Sequence, residues 1–158
     1  MTKYRVLSIA ELEEMEKEFI DYLVLNGIAA NDWQKLKKSE PKNAEEIIEL
    51  FSDVVFETIM RKTHYLEKRG EKEMRVLQCL NDKFVLVGIN ASKIDDADLT
   101  NPDYLKQAVH FPPSGLEVFT TEIKYKKLRE LELFEMMEQG YSISNGDLFK
   151  TICLVISQ

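Results

Sequence analysis

A cationic surplus is missing from this chain of 158 residues: 21 lysines and arginines face 28 aspartates and glutamates, a net charge of −7. The deficit is spread evenly, with 13 acids and 9 bases in residues 1–63 and 15 and 12 in residues 64–158. Neither half carries the basic stripe from which a phosphate backbone would release counterions, so nucleic acid is excluded as the expected partner. Long apolar runs are missing too. The longest, Phe84–Ile89 and Ile152–Ile156, fall far short of the roughly 18 residues of a membrane span. The opening "MTKYRVLSIAELEEMEKE" is too acidic for a secretory signal. Cysteine is scarce: Cys79 and Cys153 sit in apolar surroundings without metal-ligand or redox spacing. They read as buried free thiols of a reducing compartment, and the expected location is cytoplasmic. The six glycines are all isolated, which excludes a glycine-rich phosphate loop and a glycine-x-serine-x-glycine elbow.

What the chain does have is helix punctuation. Ser8 and Glu11 form a capping box, with Leu7 placed to staple onto Leu12. Leu12, Met15, Phe19, Tyr22 and Leu23 recur at three- and four-residue steps, and Gly27 stops the predicted helix. A short helix around Trp33 and Leu36, capped by Asn31, follows. Pro41 breaks the pattern, and Asn43 with Glu46 opens a long helix to about Lys62. Its wide apolar arc, from Ile47 to Ile59, predicts a central position.

At His64 the period changes from near four to two. "HYLEKR", "MRVLQCL" and "KFVLVGI" are separated only by "GEKE" and "ND", turns so short that they permit antiparallel hairpins alone. The third run is apolar on both faces, as an inner strand should be, with Val85 and Val87 on one side and Phe84, Leu86 and Gly88 on the other. A polar loop leads to a small helix near Tyr104–Val109, capped by Thr100 or Asn101, and "LEVFTTEIKY" reads as a fourth strand. A helix from about Lys126 to Gln139 follows. The predicted fold is therefore α+β: one domain over 1–158, with N-terminal helices packed on a mostly antiparallel sheet of about four strands, and C-terminal helices.

The stretch "MMEQGYSISNGDLFK" has the outline of a helix-turn-helix. Its second helix offers one lysine and no arginine, and Asp147 would repel phosphate in its first turn. Gly140 suits a helix stop, and Ser144 with Asp147 resembles a capping box, so the stretch reads as a corner between two helices. The β-branched run "TICLVI" beyond it fits a helix or a strand.

Groups that could carry chemistry are sparse. Asp95, Asp96 and Asp98 are the best metal candidates, but the glycine and distal glutamate of a calcium loop are missing. Glu49, Asp53 and Glu57 share a helix edge with Arg61 and read as a salt-bridged solvent face, because a di-iron site needs glutamate-x-x-histidine pairs. The two histidines, His64 and His110, lack that spacing, and neither lies near a cysteine in sequence. Trp33 reads as a core anchor. No catalytic residue, metal ligand or cofactor is expected.

On the helix before Gly140, apolar residues point in nearly every direction. Such a helix is either sandwiched within the chain or leaves one side for a partner; in the second case Phe134, Met137 and Tyr141 border the interface, most simply a two-fold homodimer. The expected function is a non-catalytic module that binds protein or its own copy. The alternative is a small enzyme with a metal or acid–base site built from scattered carboxylates and a histidine. The element order, with "LSIAELEEMEKEFIDYLVLNGI", "NDW" and "EQGYSISNGDLF", resembles a family of small bacterial cytoplasmic proteins defined only as a domain of unknown function. The resemblance implies a bacterial cytoplasmic protein and no catalytic residue.

Overall fold

The computed structural model describes residues 2–156, and the chain divides into two compact units, Met1–Arg61 and Lys62–Gln158. The first holds α1 (Ile9–Glu14), α2 (Glu16–Leu25), α3 (Ala30–Ser39) and α4 (Pro41–Lys62). The capping box opens α1 as expected: Ser8 Oγ accepts from the Glu11 amide at 3.2 Å, and the Glu11 carboxylate accepts from the Ser8 amide at 2.8 Å. The single helix expected from Ser8 to Gly27 is broken at Met15, where φ is −106° and ψ is 25°. Its amide is shared between the Glu11 and Leu12 carbonyls, which tightens the turn and ends α1. Two helix starts also differ. Ala29, not Asn31, is the N-cap of α3, and α4 begins at Pro41 rather than Asn43, since a proline in the first turn forfeits no hydrogen bond.

Leu23, Trp33 and Ala44 form the core of this unit, with Phe19, Ile28, Leu36, Ile47 and Ile48 packed around them. Phe19 meets Trp33 edge-on at 5.2 Å and Phe51 at 5.0 Å, geometries that favour aromatic pairs beyond their area alone. Ser52 is fully buried and bridges two segments, accepting from the Leu7 amide at 2.9 Å and donating to the Ile48 carbonyl at 2.7 Å.

The second unit is built on a sheet of β1 (Tyr65–Arg69), β2 (Glu73–Cys79), β3 (Lys83–Asn90), β4 (Glu117–Lys124) and β5 (Ser142–Ser144), in the order β4-β3-β2-β1-β5, with every pairing antiparallel. α5 (Pro102–His110), α6 (Arg129–Glu138) and α7 (Asp147–Ile156) complete it. The meander of β1, β2 and β3 is the one expected, and Phe84, Leu86, Val87, Gly88 and Ile89 are buried, Val85 half-buried. Met74, Val76, Val87 and Ile89 lie on one face and pack with Leu105 and Val109 of α5 and Phe149 and Ile152 of α7. Asn101 caps α5, its side chain accepting from the Asp103 amide at 3.0 Å.

The strand count is five rather than about four among the described residues, and the fifth lies inside the expected helix corner. Gly140, at φ +104°, ends α6: the Tyr141 amide reaches back to the Met136 carbonyl and the Gly140 amide to that of Met137, closing the last turn. The chain then pairs with β1, Ile143 opposite Leu66, before α7 starts. Ser144 is thus a strand residue rather than a helix cap. Its hydroxyl accepts from the Gly146 amide, and Asn145 accepts from the Asp147 amide. "TICLVI" lies within α7.

Candidate functional site

Strand β4 forms one outer edge of the sheet. Its ladder with β3 is continuous over eight pairs, from Lys83 opposite Lys124 to Asn90 opposite Glu117, without a bulge. Among the described residues the other side of the strand carries no partner strand, and six of its eight residues are exposed: Glu117, Thr120, Thr121, Glu122, Ile123 and Lys124. Natural edges are usually blunted by proline, a bulge, brevity or charge, because their free backbone groups are a template for another strand. Here only charge is present, and both acids are already engaged within the chain: Lys93 Nζ lies 2.6 Å from Glu117 and Lys83 Nζ 3.0 Å from Glu122. Phe119 is held inward across the ladder. Its ring covers Gly88 so closely that a Cβ on that glycine would lie 2.2 Å from a ring carbon.

The opposite edge is short and flanked by hollows. Ile143 of β5 is half exposed and borders a cleft of about 570 Å³ lined also by Glu67, Arg69, Lys106, His110 and Asp147. Glu67 accepts from Arg69 Nε at 3.1 Å, and Asp147 from the Asn145 side chain at 3.1 Å. A second cleft, of about 440 Å³, shares Arg69 and adds Lys68, Glu73, Arg75, Gln139 and Tyr141. The Lys68 ammonium lies 5.9 Å from the Tyr141 ring centroid and donates to the Gln139 carbonyl at 2.9 Å. The Arg75 guanidinium is held charged above its ordinary range by its hydrogen bond to Glu73.

The interface residues expected on α6 and just after it are spread over two degrees of burial. Tyr141 is buried and lines the second cleft, and Phe134 and Met137 are half-buried, while Leu133 next to Phe134 is fully enclosed.

The Asp95–Asp98 loop is organised around a cation of the chain's own. Lys72 Nζ donates to the carbonyls of Ile94 at 2.7 Å, Asp95 at 2.9 Å and Ala97 at 2.8 Å. Asp98 turns its carboxylate to the Thr100 amide and hydroxyl, which together hold it below the usual carboxylate range. No group of three or more potential metal ligands occurs among the described residues.

The carboxylate row on α4 receives the chain's beginning. Asp53 accepts from the Lys3 amide at 2.9 Å and the Tyr4 amide at 3.1 Å. Glu57 accepts from Lys3 Nζ at 2.8 Å and the Tyr4 hydroxyl at 3.0 Å, bonds that hold it below the usual carboxylate range. These acids are a docking strip for residues 3–4, not merely a solvated face. His64 is exposed just ahead of β1, and Trp33 is the core anchor expected. Both cysteines are free; burial pushes the Cys79 thiol up to about 12 and that of half-buried Cys153 upward. Cys79 is therefore a protonated thiol at neutral pH, unsuited to nucleophilic attack.

Sequence reasoning found β4 but not its outer position, and it missed Lys72 and the cleft around His110. The doublet Thr120-Thr121 in an otherwise apolar alternation was the one local signal of an exposed edge. No helix among the described residues is long and apolar enough to cross a membrane.

The chain belongs to the family described as a family of unknown function (DUF6495), whose model matches residues 1–157. No curated protein and no solved structure matches it.

Proposed function

We propose that this member of the family is a non-catalytic module that binds protein, another chain or its own copy, by accepting a strand at the open edge of β4. One observation carries the reading: an eight-residue edge strand, unbroken by proline or bulge, most of whose residues are exposed. Strand addition draws its affinity from main-chain hydrogen bonds and its selectivity from alternate side chains, and β4 offers both. The acidic balance supports a partner other than nucleic acid, and the two unpaired thiols support a reducing, cytoplasmic location. Half-buried Phe134 and Met137 supply a second apolar surface on α6.

The test is cross-linking of the tagged protein in its host, in parallel with Thr121→Lys and Phe134→Glu. The reading expects a cross-linked species that Thr121→Lys loses. Loss with Phe134→Glu alone moves the interface to α6, and no dependence on either variant refutes both surfaces. Fluorescence anisotropy should detect no nucleic-acid binding tighter than roughly micromolar at moderate salt.

The enzyme alternative has one observation in its favour, the cleft that brings His110 together with Glu67 and Asp147. Thermal-shift screening of small anions and metabolites, with His110→Ala as control, tests it. A ligand whose stabilisation vanishes in the variant would support that reading.

A further inference from the structure

Resting on the strand-addition reading, we infer that the occupant of the β4 edge is β4 of a second copy, paired antiparallel about a two-fold axis through Thr121. A two-fold axis perpendicular to a sheet keeps each face on its own side, so paired residues must have positions of the same parity. That leaves few registers. Centring on Glu122 sets two glutamates directly opposite each other, which is repulsive. Centring on Thr120 sets Glu117 opposite Ile123 and Val118 opposite Glu122, wasting the apolar residues against charge.

Centring on Thr121 sets Phe119 opposite Ile123 twice, once on each side of a Thr121–Thr121 pair. On the other face Thr120 meets Glu122 and Val118 meets Lys124, while Glu117 at the end of the strand meets Tyr125. No like charges are opposed, and the acids remain with Lys93 and Lys83 of their own chain. Ile123 is 39% exposed in the single chain; in this register its apolar contact is the Phe119 edge left uncovered by Gly88. Aromatic and β-branched residues directly opposite are among the stabilising cross-strand pairs. The full strand is used, giving roughly eight main-chain hydrogen bonds by the alternation of an antiparallel ladder.

The register has a sharp chemical readout. Directly opposite residues of an antiparallel pair have Cα atoms about 4.5–5.5 Å apart, within the range of about 4.4–6.8 Å that a disulfide spans. In a Cys153→Ser background, Thr121→Cys should therefore oxidise to a covalent dimer. Thr120→Cys should not, because its counterpart lies two residues along the partner strand, roughly 8 Å away. Light scattering on the purified protein across a concentration series is expected to show a monomer–dimer equilibrium. Thr121→Lys, which sets two ammonium groups face to face at an exposed position, should weaken it by about fivefold, with circular dichroism confirming an intact fold.

Covalent dimer from Thr120→Cys instead of Thr121→Cys would overturn the register. A dimer insensitive to Thr121→Lys would overturn the edge as its site. A protein monomeric at every concentration would overturn the second copy as occupant, while a Thr121→Lys-sensitive complex with another chain in the host would leave strand addition itself standing.

Discussion

Arg129, at the start of α6, ties that helix to backbone carbonyls at one end of the β1–β2 pair. Its guanidinium donates to Leu80 O at 3.1 Å, Thr63 O at 2.5 Å and Cys79 O at 3.2 Å, and its side chain is only 13% exposed. Arg129→Met keeps the length of the stem and removes the donors. A hydrogen bond to a charged group contributes about 1.5–3 kcal/mol net, and a buried acceptor left unpaired costs a similar amount. Leu80 O keeps the Tyr125 hydroxyl, at 2.8 Å, so the loss at that carbonyl is the smaller. The expected destabilisation is about 3–4 kcal/mol, measured as the shift in urea midpoint at unchanged slope by far-UV circular dichroism. Arg129→Lys keeps the charge but not the planar fork and should recover less than half of it. A loss below about 1 kcal/mol for the methionine variant, or a lysine variant as stable as the parent, would refute the clamp.

Three further outcomes are expected. The Arg5 side-chain bond and the Ser8 amide hold the Glu11 carboxyl down at about 2, so its contribution is complete above the ordinary glutamate range and lost as pH falls toward 2. At 36% side-chain exposure screening limits that contribution to about 1 kcal/mol, and Glu11→Gln should flatten this part of the stability–pH curve. Gly146→Ala should lower the melting temperature by several degrees, because φ there is +89° and the new Cβ would lie 2.4 Å from a Tyr65 ring carbon; an unchanged melting temperature would contradict the packing. Native protein should titrate with a disulfide reagent mainly at Cys153, with Cys79 reacting only on unfolding. Equal rates for the two thiols would contradict the burial of Cys79.

Several features written in neighbouring residues were legible, although the caps expected at Asn31 and Ser144 were not among them. The capping box at Ser8, the two tight turns of the meander, the Asn101 cap and the Gly140 stop all depend on groups a few positions apart, and the structure has them where the spacing puts them. Features set by distant chain were not. "SIS" is too short to alternate, and it becomes β5 only because β1 lies beside it in space. Lys72 reads as a surface base in a turn, although its carbonyl partners come from a loop more than 20 positions downstream. Arg129 likewise balances local acids in sequence, while its carbonyl partners at Leu80, Cys79 and Thr63 lie 49, 50 and 66 positions away. The outer place of β4 follows from where the chain re-enters the sheet, which no periodicity encodes. On α6 the spacing foretold apolar residues all round, and burial divides them: Leu133 enclosed, Phe134 and Met137 partial, Leu128 exposed.

If strands add at the edge of the sheet as proposed, its unequal edges set the valence of the molecule. The edge strand is eight residues long on the β4 side and three on the β5 side, the latter too few to seed a ladder of useful length. A subunit with two good edges is bifunctional, and head-to-tail addition would propagate into a filament. With one, under the proposed strand addition, it is monofunctional: the first strand to arrive would occupy the one long edge among the described residues, and growth would terminate at two. Under that proposal, lengthening β5 by a few strand-forming residues would convert the self-limiting pair into a polymerising unit, and the brevity of that strand would be what limits assembly size.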